Sequence, residues 1–152
     1  MRKLITSLLL TLALPVKADV SEIKIFHNDA NPVRSDFRLS PDIQLEVYNM
    51  DDVKRAQDKL TRIVRQRVSP SAAKVNVEEA HRDAFFELMN SPEWKTIHAE
   101  IGASTAGAEN ALRYDVKKLP AVIFNDRFVL YGVNSLGEAI RLYNQHEKAK
   151  SK

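Results

Sequence analysis

The chain has 152 residues, 44% of them hydrophobic and 28% charged, with 23 Lys and Arg against 20 Asp and Glu and no cysteine. That length fits one domain with a modest core, and the ordinary composition excludes collagen-like, disordered and disulfide-stapled classes. Zero cysteine also excludes a thiolate nucleophile, a zinc–thiolate site and a Cys-x-x-Cys redox pair. The pI of about 9.2 raises a nucleic-acid or membrane-surface partner, so the position of the basic surplus matters.

Much of that surplus is at the start. Met1-Arg2-Lys3 is positive, residues 4–14 are apolar apart from Thr6, Ser7 and Thr11, and Val16-Lys17-Ala18 sets small or apolar residues before a cut between Ala18 and Asp19. This is the pattern of a secretory signal peptide, and its apolar run is too short for a membrane span, which needs about 20 residues. The two-basic start and short apolar run have a bacterial style, so the expected destination is the periplasm, and the lack of a cysteine after the run excludes lipoprotein anchoring. The expected organisation is a signal peptide over 1–18, a domain over 19–147 and a charged tail over 148–152. Arg2, Lys3 and Lys17 leave with the signal, so 20 basic residues remain against 20 acidic ones and the exported chain is neutral.

Residues 22–27 alternate polar and apolar and stop at the turn formers Asn28-Asp29-Ala30-Asn31-Pro32, which predicts a strand and a loop. In the stretch 33–41, Phe37 and Leu39 support only a turn or a short helix. Residues 43–48 repeat the strand pattern. From Asp51 the period becomes helical through Val53, Ala56, Leu60, Ile63 and Val64, behind an Asp51-Asp52 start suited to the helix dipole, and Ser69-Pro70-Ser71 is expected to end that helix. A second helix is predicted over 78–89. Ser91 then reads as an N-cap with Pro92 at the first helical position of a helix carrying Trp94, Ile97, Ile101, Ala108, Ala111 and Leu112. Its middle, 102–107, is rich in Gly, at about 1 kcal/mol each relative to Ala; either the helix breaks there, the expectation favoured, or small residues let it pack closely on a sheet. Residues 121–124 form an apolar strand, Asn125-Asp126 a hairpin turn and 127–131 the returning strand. Gly132 ends it, Ser135 caps a last helix with a stripe of Leu136, Ala139, Ile140 and Tyr143, and a charged tail follows from Gln145.

The stretch Tyr114-Asp115-Val116-Lys117-Lys118-Leu119-Pro120-Ala121-Val122-Ile123-Phe124 resembles the thioredoxin-fold segment in which a helix ends at a Tyr-Gly/Asp-Val turn and a proline opens the third strand. The resemblance implies an α/β, thioredoxin-like fold with a central mixed sheet of about four strands and helices on both faces. It also implies a cis bond before Pro120, which exposes the preceding backbone for an extended peptide. The place of the redox pair after the first strand reads His27-Asn28-Asp29-Ala30-Asn31-Pro32-Val33, without sulfur and with little helix, so thiol chemistry is absent.

A narrower match joins the signal peptide to Ile-Phe-x-Asn-x-x-x-Pro-Val at 25–33, Val-Tyr-Asn-Met-Asp-Asp at 47–52 and Leu-Pro-Ala-Val-Ile-Phe-(x)6-Tyr-Gly-Val at 119–133. This combination resembles a family of small exported proteins of integrating conjugative elements, thioredoxin-like components of the mating-pair-formation apparatus akin to the cysteine-poor periplasmic pilus-assembly proteins of F-type conjugation. The resemblance implies protein–protein contacts within a type IV secretion system and no catalytic activity. An alternative is a redox-inactive folding or peptide-binding factor that uses the Leu119-Pro120 groove.

The candidate partner-binding residues are His27, Asn28, Asp29, Pro32, Leu119 and Pro120. Without a nucleophile or oxyanion arrangement nearby, His27 and Asp29 read as a satisfied polar loop rather than an acid–base pair. No two histidines have metal-ligand spacing, and His81 with Asp83 or His98 with Glu100, two apart on a helix, point to different sides; no metal or other cofactor is expected. Lys54, Arg55, Lys59, Arg62, Arg65 and Arg67 make one helix basic. An acidic partner or single-stranded DNA would suit it, but no aromatic platform interleaves the charges, so a solvated face is expected and direct nucleic-acid binding is not. Trp94, Phe85 and Phe86 read as core, with a partner-facing patch as the alternative.

Overall fold

The computed structural model describes residues 20–151, so the expected signal peptide and its cut at Ala18 and Asp19 lie outside the described residues. Strand β1 (Glu22–His27) pairs parallel with β2 (Gln44–Asn49) and antiparallel with β3 (Ala121–Phe124), which pairs antiparallel with β4 (Phe128–Tyr131). The sheet is open and mixed, in the order β2-β1-β3-β4, which is the α/β class with four strands that the sequence predicts. The inner strand β3 is buried at every residue, as expected for an unbroken apolar run covered on both faces.

Helices cover both faces. On one, α5 (Leu136–Lys150) sets Leu136, Ala139 and Tyr143 against Ile23, Ile25, Val122 and Phe124, and the Tyr143 ring stacks on Phe124 at 4.5 Å. On the other, Phe26, Ala121 and Ile123 meet Tyr48, Met50, Tyr114, Val116 and Ala111, the last from the end of α4 (Trp94–Arg113). Between β2 and α4 come α1 (Asp52–Arg67), α2 (Pro70–Val75) and α3 (Val77–Met89). Helix α1 packs on α3 and α4 and buries none of its residues completely.

No helix joins β1 to β2. The connecting loop is fastened to the start of α5 instead: Arg34 N donates to Asn134 O at 2.8 Å, Leu136 N to Arg34 O at 3.0 Å and Gly137 N to Asp36 Oδ1 at 3.0 Å. Its Val33, Leu39 and Ile43 pack against the core on that side, which replaces part of what a helix there would bury.

Local signals explain most boundaries. Asn125 and Asp126 have φ of 48° and 57°, the pair of positive values a two-residue hairpin turn of type I′ requires. Gly132 ends β4 at φ 75°, where a Cβ would be strained. Ser135 Oγ accepts from Glu138 N at 3.1 Å and caps α5. The Leu119–Pro120 bond is cis.

Four expectations are corrected. Ser69-Pro70-Ser71 does end α1, but Pro70 at once opens α2 from its first turn, where a missing N–H costs nothing. Helix α4 begins at Trp94 rather than Pro92, because the Ser91 hydroxyl donates back to Leu88 O at 2.7 Å and closes α3 instead of capping α4. Residues 102–107 do not break α4: Gly107 lies against Tyr48, and the hydroxyls of Ser104 and Thr105 donate to Ile101 O at 2.8 and 2.9 Å. Finally, α5 continues through most of the expected tail to Lys150, with Lys148 and Lys150 in its last turn, where cations suit the dipole.

Candidate functional site

The ends of β1 and β2, the end of α4 and the turn before β3 converge on a cleft of about 390 Å³. Its apolar lining is Met50, Ala111, Val116 and Leu119, and its polar lining is the amides of Asn28 and Asn31 with Lys117 and Lys118; no carboxylate lines it. The turn that carries the two lysines follows from Asp115 at φ 51° and from Val116 N donating to Ala111 O at 2.9 Å, which folds the chain back under α4. Lys117 pairs with Asp115, whose carboxylate hydrogen bond raises the lysine's pKa. Its backbone N–H donates to Tyr131 Oη at 3.3 Å. Lys118 has no ion pair among the described residues. Leu112, next to Ala111, is 83% exposed.

Of the six residues singled out in the sequence, Asn28 and Leu119 line this cleft. Pro120 is buried behind Leu119, and its carbonyl accepts from Gly132 N at 2.9 Å, tying the turn to the end of β4. Pro32 is exposed outside the cleft. His27 is half-buried, its Nδ1 3.4 Å from Asn28 O, and it makes no hydrogen bond to Asp29. Asp29 turns the other way: Asn49 Nδ2 donates to its Oδ1 at 2.7 Å, Arg55 pairs with its Oδ2, and its own N–H donates to Asp51 Oδ2 at 2.9 Å. The Asn49 hydrogen bond, with Arg55, holds the Asp29 carboxyl below its ordinary range. Asn28 Oδ1 accepts from both the backbone and the side-chain amide of Asn31 at 2.8 and 3.1 Å. The loop is thus a self-satisfied polar knot tied to α1. The Asp51 carboxylate, expected to serve the helix start, holds the loop instead.

Residues of the cleft that sequence reasoning passed over are Asn31, Met50, Ala111, Val116, Lys117 and Lys118. A signal was present, since all but Ala111 fall within the three motif stretches or the turn before Pro120.

Most of the basic helix is neutralised within the fold. Lys54 pairs with Asp58 at 3.3 Å, Arg55 with Asp29 and Asp52, Lys59 with Glu100 at 2.6 Å, and Arg67 with Glu93 at 2.7 Å and Glu87 at 3.4 Å. Arg62 and Arg65 are exposed, without an ion pair among the described residues. A second cleft, of about 480 Å³, opens between β2, α1 and α4, with Val47, Tyr48, Arg55, Lys59 and Glu100 among its walls. Phe85 and Trp94 pack edge to face at 5.8 Å and are half-buried, whereas Phe86 is 52% exposed.

One charge lies inside the sheet layer. Lys24 is 5% exposed, pairs with Glu22 and with Asp126 at 2.7 Å, and stands 5.1 Å over the Tyr114 ring. Burial pulls its pKa down, but the bonds to Asp126 and Glu22 outweigh that and raise it, and Lys24 in turn lowers the pKa of Asp126. Among the described residues there is no group of three or more His, Cys, Asp or Glu that could hold a metal ion, and no helix long and apolar enough to cross a membrane.

A family model described as a protein of unknown function (DUF1525) matches residues 23–149. No curated protein and no solved structure matches the chain.

Proposed function

From the premise that the chain belongs to the DUF1525 family of proteins of unknown function, we propose that it is a non-catalytic periplasmic component of a conjugative element's type IV secretion system. In this reading it acts in assembly of the conjugation apparatus by protein–protein contact, on a thioredoxin-like scaffold that lacks the redox pair. The reading rests on the resemblance of the motif stretches at 25–33, 47–52 and 119–133 to exported conjugative-element proteins. The structural observation that carries it is the cleft at Asn28 and Leu119. An apolar floor beside a rim of amides and lysines suits an extended protein segment, and the polar loop in place of the redox pair spends its side chains on one another and on α1.

Crosslinking in mating cells, with recovery of the chain, should yield a secretion-apparatus protein, and deletion of the gene should lower transfer frequency. Failure of both would sink the reading. The same cleft also suits the second reading, a redox-inactive periplasmic factor that binds extended clients. In that case unfolded peptides at millimolar concentration should shift the resonances of Asn28 and Leu119, and transfer should not depend on the gene.

A further inference from the structure

The sheet edge at β2 carries a surface independent of the Leu119 cleft. In a strand, one residue's N–H and C=O point to the same side, and the side alternates along the chain. Gln44 N donates to Ser21 O at 2.9 Å and Met50 N to His27 O at 2.8 Å, so residues 44, 46, 48 and 50 face β1. Leu45, Val47 and Asn49 therefore turn their backbone groups to the open edge, where their N–H groups have no partner among the described residues. Leu45 and Val47 stand opposite Ile23 and Ile25 in the β1–β2 register. Their side chains share the α5 face and stay 37% and 54% exposed. β2 contains neither the proline nor the lysine that commonly blunts an edge strand.

We propose that this edge is a homodimer interface: β2 of one copy pairs antiparallel with β2 of a second copy about a two-fold axis at Val47, joining the two sheets. That axis sets Val47 opposite Val47, Leu45 opposite Asn49 and Glu46 opposite Tyr48, and it uses all three outward residues and no others. An axis at Glu46 would oppose two carboxylates, which destabilises a strand pair. An axis at Tyr48 would need the Asp51 N–H, already given to Asn49 Oδ1 at 3.0 Å, and one at Leu45 would need the Ile43 N–H, already given to Ser40 O at 3.1 Å.

The register itself favours a second copy as the occupant. About the Val47 axis the outward triplet is its own complement, with Val47 on Val47 and each Glu46 beside Tyr48 of the other copy rather than beside a second carboxylate. The chain as a whole adds no barrier: setting aside Arg2, Lys3, Lys17 and Lys152 from the 23 basic residues and Asp19 from the 20 acidic ones leaves 19 of each in the described part, so two copies meet without net repulsion. On the α5 face the Leu45 and Val47 side chains of both copies cover one another. About six backbone bonds and four apolar side chains make a small interface, so the dimer is a concentration-dependent one.

Because the chain has no cysteine, a single introduced thiol reports without background. Val47→Cys in the purified chain would bring two Cα atoms to about 5.5 Å across the axis, within disulfide range. Under mild oxidation it should form a covalent dimer at least about tenfold faster than Val75→Cys, a site 90% exposed at the end of α2. Leu45→Cys and Asn49→Cys should each stay slow alone and crosslink when mixed. Sedimentation velocity should show a monomer–dimer equilibrium that Val47→Lys abolishes with the circular dichroism spectrum unchanged; if that variant does not fold, the thiol comparison decides. A chain that sediments as a monomer up to about 1 mM, or a Val47→Cys rate no greater than that of Val75→Cys, overturns the proposal.

Discussion

Gly107 packs its backbone against the ring of Tyr48: a Cβ placed on it would come 3.2 Å from Tyr48 Cδ1. Tyr48 has no room to yield, since its ring stacks on Phe26 at 5.0 Å while its hydroxyl donates to Glu46 at 2.6 Å and accepts from Asn110 at 2.7 Å. Gly107 is therefore the contact that lets α4 lie close on the β2 edge. Gly102, five residues earlier in the same helix, meets nothing within 4 Å. The two glycines should respond oppositely to substitution. Gly102→Ala should stabilise by up to about 1 kcal/mol through helix propensity, whereas Gly107→Val should cost about 1–3 kcal/mol by overpacking. Urea unfolding followed by Trp94 fluorescence measures both, and equal effects at the two positions would remove the close-packing account of α4.

Lys24 should give stability a dependence on pH at both extremes. Its pKa is raised above the ordinary 10.5, so its contribution is complete below that value and is lost as pH rises beyond it. Tyr48 acts in the same direction: burial first, then the Glu46 hydrogen bond, push its pKa from 10.0 to about 12, so the unfolded chain ionises first and stability falls between those values. Asp126 is shifted the other way, held below 3.8 chiefly by the Lys24 hydrogen bond, and its contribution is lost as pH falls below that value. Lys24→Met should therefore reduce the acid limb by the Asp126 part, leaving those of Asp29 and Asp36, and should reduce the alkaline limb by its own part, leaving those of Tyr48, Tyr143 and Lys117. Unfolding free energies between pH 3 and 11 test this, and a variant whose profile runs parallel to the parent's would show that the pairing is not formed.

These two cases also mark where the sequence was legible. The hairpin at Asn125-Asp126, the Ser135 cap and the apolar run of β3 each carry their cause within a few residues, so they could be read directly. Gly107 could not, because its justification is Tyr48, distant in the chain, and a helix with weak propensity is indistinguishable from a broken one until that partner is known. Lys24 alternates with Ile23 and Ile25 as a solvent-facing residue would, and only the presence of helices on both faces of the sheet buries it. In the cleft, Asn28 and Leu119 were found from the motif, whereas Lys117 and Lys118 read as an ordinary charged turn until Asp115 and Val116 fold that turn under α4. Pro70 shows the reverse failure: a residue read as a stop also serves as a start.

The basic surface of α1 should behave as a solvated face. Four of its six cations have carboxylate partners in the fold, and exposed pairs of this kind contribute about 0–1 kcal/mol each. With only Arg62 and Arg65 of these six unpaired among the described residues and no aromatic platform between them, stacking and phosphate neutralisation are both too weak for tight binding. A labelled single-stranded oligonucleotide should show no anisotropy change with the purified chain below about 100 μM at physiological salt, and Arg62→Glu with Arg65→Glu should leave stability within about 0.5 kcal/mol. Salt-sensitive binding in the low micromolar range would reassign the helix to nucleic-acid contact.

The cleft at Leu119 should be separable from the fold that presents it. Leu112 is 83% exposed, so a polar replacement there removes little buried area, and Lys118 has no ion pair among the described residues whose loss would be felt. Leu112→Asp and Lys118→Glu are thus surface changes, expected to alter stability by no more than about 0.5 kcal/mol. If an extended partner segment lies on the apolar floor and is held at the rim by the lysines, Lys118→Glu reverses the charge a partner carboxylate would meet, whereas Leu112→Asp changes a side chain outside the cleft lining. Lys118→Glu should lower crosslinking yield to the partner in mating cells and Leu112→Asp should leave it near the parent's, while both purified variants unfold at the parent's urea midpoint. Asp29→Asn is the matched control, since it loosens the polar loop from Arg55 without changing the lining of the cleft. Its crosslinking yield should stay near the parent's, and a loss as large as that of Lys118→Glu would move the contact surface from the cleft to the loop.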